Sequence, residues 1–230
     1  SLWQLGTPTN IVINSANSGV NAWCTNLTGL YPNSSNDFVT SPVFDFTSVP
    51  NPAIQVSIWY ESEFSWDGAV LQSSIDGGTS WQNVGALNDP NNWYNDGTIN
   101  GNPGGQQIGW TGRNGTGSNG WVLASNDMLG LGGQPNVILR FAFGSDGSVN
   151  DDGFAFDDVL VFNNGCPQPS ALNLVLNSPF TADFGWTDNA GATEWALEWG
   201  PVGFTPGTGT SLITTSNPAT ISPLTPTTDY

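Results

Sequence analysis

Asp151, Asp152, Asp157 and Asp158 crowd into the stretch DDGFAFDDVLVF, residues 151–162, of a chain that has no lysine and no histidine. Like charges a few ångströms apart repel and raise each other's pKa, so such a cluster persists in full solvent or around a cation. Oxygen donors without imidazole, and almost without thiol, select a hard ion, calcium ahead of magnesium. Calcium takes about six to eight oxygens. The best supply joins Asp157 and Asp158 to Glu61, Glu63 and Asp67. Glu61 and Asp67 flank the short connection 62–66, so both can lie at one end of a sheet. Strand side chains alternate, so only one of Asp157 and Asp158 is expected on any one face. Asp151 and Asp152 read as a turn lending a carbonyl, and Asp76 and Asp146 as turn-formers, because Asp side chains cap turns. The competing reading of the whole set is solvated turns.

Paired carboxylates also perform glycoside hydrolysis, one as acid and one as base or nucleophile across a cleft. Glu61 and Glu63 alternate along one strand and so point the same way, which favours ligation or solvation over catalysis. The absence of histidine removes nucleophilic triads and zinc hydrolysis, and the chain is expected not to be an enzyme. Trp93 and Tyr94 in NNWYNDG, with Trp110 and Trp121, have the faces to stack on sugar rings. The competing role for these rings is anchorage in a core.

The elements that must position these groups are strands. Glycine, asparagine, serine, threonine and proline abound, with 11 Trp and 12 Phe, a composition that suits short strands and turn-rich loops. Alternation is clearest at Ile54, Val56, Ile58 and Tyr60, at Val70 to Ile75, at Val137, Leu139, Phe141 and Phe143, and at Phe154 to Phe162. Asp76-Gly77-Gly78 predicts a tight hairpin turn. The stretch 88–120 loses the strand rhythm but keeps aromatic and isoleucine residues, as an ordered functional loop does. A helical turn is predicted only over 125–131, with Ser125 as its cap.

A net charge of -17 with two arginines, Arg113 and Arg140, excludes the electrostatic footprint of a nucleic-acid binder and argues against anionic membranes. No apolar run approaches the length that spans a bilayer. Proline and glycine gather at 163–169, and the strand rhythm restarts at Leu172, Leu174 and Leu176, which predicts two domains, 1–164 and 165–230.

The motifs SGVNAW (18–23), TSPVFDF (40–46), WDGAVLQSSIDGGTSW (66–81), NVILRFAF (136–143) and DGFAFDDVLVF (152–162) resemble the MAM-like, immune-inhibitor-A-like jelly-roll domains of secreted Bacteroidota surface proteins. That resemblance covers the first segment and implies an antiparallel jelly-roll β-sandwich, often metal-stabilised. The second segment resembles a fibronectin type III domain, with Trp186 as core tryptophan and Leu224, Pro226, Thr228 and Tyr230 in the place of the tyrosine corner. Since that corner opens the sixth of seven strands, the resemblance implies a partial sandwich lacking its last two strands and a parent protein with further modules. It also implies that Cys166 pairs beyond the corner and that Cys24 is a free buried thiol; a Cys24–Cys166 bridge is the alternative.

The sequence thus leads to an all-β, calcium-stabilised, non-catalytic adhesion or structural module of a secreted or cell-surface bacterial protein. Its expected partners are other modules of the same parent and surface glycans. The alternative is a carbohydrate-binding accessory module of a secreted hydrolase.

Overall fold

Alternating apolar residues make strands here because every second side chain can enter one sheet face. A computed structural model describes residues 2–165, 169–189, 192–205 and 207–230. Among them the regular elements are antiparallel strands and one 3-10 turn at Pro103–Gly105. The chain divides into two units, 1–164 and 165–230.

In the first unit, strands β1 (Gln4–Gly6), β2 (Ala22–Cys24), β4 (Pro52–Glu61), β7 (Val122–Asp127) and β9 (Gly153–Asn163) form one sheet in the order β1-β2-β9-β4-β7. Strands β3 (Asn36–Thr40), β5 (Gly68–Ser74), β6 (Gln82–Asn83) and β8 (Ile138–Gly144) form the other, ordered β3-β8-β5-β6. The chain crosses from sheet to sheet as a jelly roll does. Ile54, Val56 and Ile58 of β4 and Val70, Leu71, Phe141 and Phe143 of β5 and β8 fill one core between the sheets. A smaller core of Ile13, Ala22, Cys24 and Ala155 is backed by Ala16, Leu27, Trp59 and Trp121. Burial and the negative charge of Asp157 and Asp152 push the Cys24 thiol up to about 12, so this free cysteine is unreactive. Cys166, and with it the alternative bridge, lies outside the described residues.

Two local expectations change. Ser125 lies inside β7, paired with Gln55, because the edge of β4 offers it a ladder that a single helical turn cannot match. The Asp76 hairpin forms, yet its loop spans 75–81 instead of two residues. Asp76 accepts hydrogen bonds from Ser80 N–H and from the Ser74 and Ser80 hydroxyls, which hold its carboxyl down at about 2. The stretch 88–120 lies along the free edge of β5, where Ala69 and Trp110 exchange N–H···O bonds of 3.0 and 2.9 Å.

The second unit has a three-stranded sheet, β10 (Ser170–Asn177), β11 (Ala182–Thr187) and β14 (Ala219–Ile221), and a hairpin of β12 (Trp195–Trp199) with β13 (Thr210–Thr214). Its buried core is Ala182, Trp199 and Ile221, backed by Phe184, Leu212 and Leu224. Trp186 is only half-buried and meets Trp195 edge-on at 5.4 Å. Leu172, Leu174 and Leu176 are exposed. The Tyr230 hydroxyl accepts the Thr225 N–H at 3.0 Å.

Trp110 has no solvent exposure and meets Trp93, Tyr94, Phe141 and Phe154. Trp110→Ala is expected to cost the first unit about 3–5 kcal/mol, read as a lower urea midpoint. A change within about 0.5 kcal/mol, the size of a surface substitution, would refute this packing.

Candidate metal centre

Glu63, Asp67 and Asp146 form a cluster in which one oxygen from each lies within 4.8 Å of the others. Register explains the meeting. β5 and β8 pair with Gly68 opposite Gly144, so Asp67, just before β5, and Asp146, just after β8, leave the sheet at the same end. Glu63 is brought there by one tight turn: the N–H groups of Trp66 and Asp67 both donate to the Glu63 carbonyl, at 3.1 and 2.9 Å. Thr111 fixes that turn through hydroxyl bonds to the Glu63 and Asp67 carbonyls, at 3.1 and 2.6 Å.

Asp67 is the pivot. It is fully buried, and its carboxylate accepts the Tyr31 hydroxyl at 2.6 Å and the Asp146 N–H at 2.7 Å. Burial pushes its carboxyl up to about 6; these two bonds oppose the rise, and the charges of Asp146 and Glu63 add to it. Arg113 is the neighbouring cation, with Nη1 at 2.9 Å from Asp151 and Nη2 at 3.9 Å from Glu63. One guanidinium therefore faces Asp151 and Glu63, and no ion pair among the described residues reaches Asp67 or Asp146.

The other expected ligands are not brought to this place. The Glu61 carboxylate accepts the Asn114 N–H at 2.9 Å, against the 112–117 loop, and burial raises its pKa. Asp157 accepts the N–H groups of Asn17 and Ser18 at 3.0 and 3.1 Å, and Asp158 accepts the Asn17 side-chain amide and the Ser18 hydroxyl at 2.7 and 2.6 Å. Both aspartates thus serve one loop, contrary to the alternation expected of them. The cause is a β-bulge: between the pairs Gln55–Leu160 and Ser57–Asp157, one residue of β4, Val56, faces two of β9, Asp158 and Val159, with Asp158 at φ 48°. Asp152 lends its carboxylate as well as its carbonyl: the former accepts the Val12 and Ile13 N–H groups at 2.6 and 2.8 Å, the latter the Thr25 hydroxyl. Gly153, at φ 97°, follows where a Cβ would lie 2.1 Å from the Thr25 hydroxyl.

Asp146 does form a turn, accepting the Ser148 N–H at 2.9 Å, but it is also the third acid of the centre. The signal that could have found it is the β5–β8 pairing, which follows from the two apolar alternations. Tyr31 carried no such signal.

The expected sugar-stacking rings are placed otherwise. Trp93, Tyr94 and Trp110 are buried in the main core, their polar atoms bonded to Val84, Leu71 and Asn92 carbonyls. A ring without an exposed face cannot stack on a ligand. Trp121 is half-buried against Trp59 and donates to the Ser15 carbonyl at 3.0 Å.

No protein-family model matches the chain, and no curated protein does. Among solved structures, the chain is similar to the K1 cleaved adhesin domain of Lys-gingipain from Porphyromonas gingivalis W83, at 13% identity and TM-score 0.39, over 71% of this chain and 84% of that one. It is similar also to the glycoside hydrolase domain of Endo-D from Streptococcus pneumoniae R6, at 13% identity and TM-score 0.39, over 96% of this chain and 30% of that one. Likeness of this degree carries no function from one chain to another.

The Asp67 shift has a sign that can be measured. Below the unfolded value of 3.8 the group is protonated in both states, and between 3.8 and about 6 only the unfolded state has lost the proton. Ionisation of Asp67 therefore lowers stability as pH rises through that window, after which its effect is constant. In chelator-treated protein, the stability of Asp67→Asn relative to wild type should rise from pH 4 to about pH 6 and then level off. Urea midpoints that keep a constant difference across this range would contradict the assignment.

Proposed function

We propose that the first unit is a non-catalytic adhesion or structural module, a MAM-like jelly roll held at one end by a calcium ion, and that the chain works outside the cell. The observation that carries the cation is the Glu63, Asp67 and Asp146 arrangement. Two ligands on opposite sides of a calcium ion, each at about 2.4 Å, lie about 4.8 Å apart, so oxygens with that mutual spacing can share one ion. All three donors are hard oxygens, and Arg113 is committed to Asp151. Bound there, a divalent cation would supply charge neutralisation and tie the 63–67 turn to the segment after β8.

The second unit is proposed as a fibronectin type III-like spacer. Its three-stranded sheet, its separate hairpin and the Tyr230 hydroxyl bonded to Thr225 support that reading. No helix among the described residues is long and apolar enough to cross a membrane.

Calorimetric titration of chelator-treated protein should show one saturable calcium site, with magnesium weaker because it demands a tighter octahedral shell. Calcium should raise the melting temperature of the first unit, and Asp146→Asn or Glu63→Gln should weaken binding about ten-fold or more. An unchanged melt after complete metal removal would sink the cation. A heat of binding untouched by either substitution would move it elsewhere.

A further inference from the structure

The outer face of the four-stranded sheet carries an arrangement that the acidic end does not use. Thr40, Arg140, Gln72 and Asn83 stand opposite one another on β3, β8, β5 and β6, a polar row across the whole sheet. Leu139 and Phe141 point into the core, so Arg140 between them points out. Its Nε and Nη2 donate to the Gln72 Oε1 at 2.9 and 2.7 Å. The Gln72 amide donates in turn to Asn83 Oδ1 at 3.0 Å and to the Gly104 carbonyl, and Asn83 donates to Gln106 at 2.9 Å. Gly104, at φ 64°, allows this closeness: a Cβ there would lie 2.4 Å from Gln72 Oε1.

Two aromatic rings flank the guanidinium. Its central carbon lies 4.0 Å from the Trp81 ring centroid and 4.9 Å from that of Phe38. The rings themselves are 6.5 Å apart and inclined at 42°. Phe38 is 47% exposed although it sits in a regular strand, while Trp81 is steadied by its indole N–H bond to the Gly78 carbonyl. Among the described residues both ion pairs belong to Arg113. In a chain of net charge -17, Arg140 thus has no carboxylate partner among the described residues, and its Nη1 makes no hydrogen bond among them.

We propose that this face binds a sugar bearing a single carboxylate, a uronic or sialic acid, with the carboxylate on the Arg140 edge and the apolar ring face on Phe38 and Trp81. A planar guanidinium held by its inner N–H groups presents the outer ones to a carboxylate in fixed geometry. Aromatic faces suit the C–H side of a pyranose. The surrounding negative field repels polyanions, and one guanidinium neutralises one charge. This selects a terminal acidic sugar over a polyuronate or a sulfated chain. The site is separate from the calcium centre and does not rest on it.

The test is a magnetic-resonance titration of the intact chain, followed at the Trp81 indole N–H, with sialyllactose and methyl glucuronide set against lactose and methyl glucoside. One or both acidic sugars should give a saturable shift, which says which acid is read, and the neutral ones none. Arg140→Gln should weaken binding about ten-fold or more. Arg140→Lys should also weaken it, since an ammonium lacks the fork. Phe38→Ala removes a half-exposed ring outside the core, so it should weaken binding while the melting temperature falls by only a few degrees, even if the Arg140 variants fold poorly. Chelator and Glu63→Gln should leave the titration as it was. Equal shifts with lactose, no saturable shift with either acidic sugar, or full binding by Phe38→Ala and Arg140→Gln would overturn the proposal. So would an acidic dipeptide binding as tightly as the sugars, which would make the face a peptide site.

Discussion

A chain with 19 acidic residues and two arginines must bury some of its carboxylates without cations to meet them. Asp67, Asp152, Glu61 and Asp96 are all buried. An isolated buried carboxylate costs several kcal/mol and tends to recover its proton. The fold meets that cost with hydrogen-bond donors. Asp152 accepts two N–H groups of the N-terminal loop, Glu61 accepts Asn114, and Asp96 accepts Thr98 N–H at 2.6 Å and the Ser65 and Thr98 hydroxyls. Asp152 and Glu61 tie loops to the sheet and Asp96 ties two loops together, so the negative charge organises the irregular part of the first unit. Asp157 and Asp158 do the same at the surface for Asn17 and Ser18.

This also explains how much the sequence could tell. Strand content was legible because Ile54, Val56 and Ile58, and Leu139, Phe141 and Phe143, are half-buried alternations with one solution, a packed sheet face. The acidic end was half legible. Glu63 and Asp67 are joined by a short turn that sequence distance reveals, whereas Asp146 reaches them only through the pairing of two distant strands. Asp157 and Asp158 misled for a different reason. Charge density suggests a cation, but backbone N–H groups satisfy a carboxylate equally well, and a bulge sets both residues on one loop. No residue type announces a bulge without glycine, and here Asp158 occupies the left-handed region itself.

The aromatic residues show the same limit from the apolar side. In a loop rich in glycine and asparagine, Trp93, Tyr94 and Trp110 read either as ligand platforms or as core anchors, and residue type does not choose between them. The loop instead runs along the β5 edge, which turns its large side chains inward and uses their N–H and O–H groups to satisfy carbonyls. Phe38, in a regular strand, is exposed, and Trp81 beside one is half-buried. Their positions follow from alternation, but their meaning depends on Arg140 lying between strands on the same side.

The two arginines divide two tasks. Arg113 faces Asp151 and Glu63 and lowers repulsion inside the acidic end, while Arg140 faces outward from a neutral amide row. What Arg113 leaves is the pair Asp67 and Asp146, and the proposed calcium ion would complete that neutralisation. Its affinity is constrained by the hydrogen bonds already present: Asp67 accepts from Tyr31 and Asp146, and those acceptor sites are not free for a metal. The proposed ion would therefore bind weakly, at a Kd of about 10⁻⁴–10⁻³ M. At ten times Kd, mass action adds about 1.4 kcal/mol. That is modest beside the core, yet it acts on a buried carboxyl whose ionisation opposes folding, so the ion would matter most near neutral pH, where Asp67 is charged.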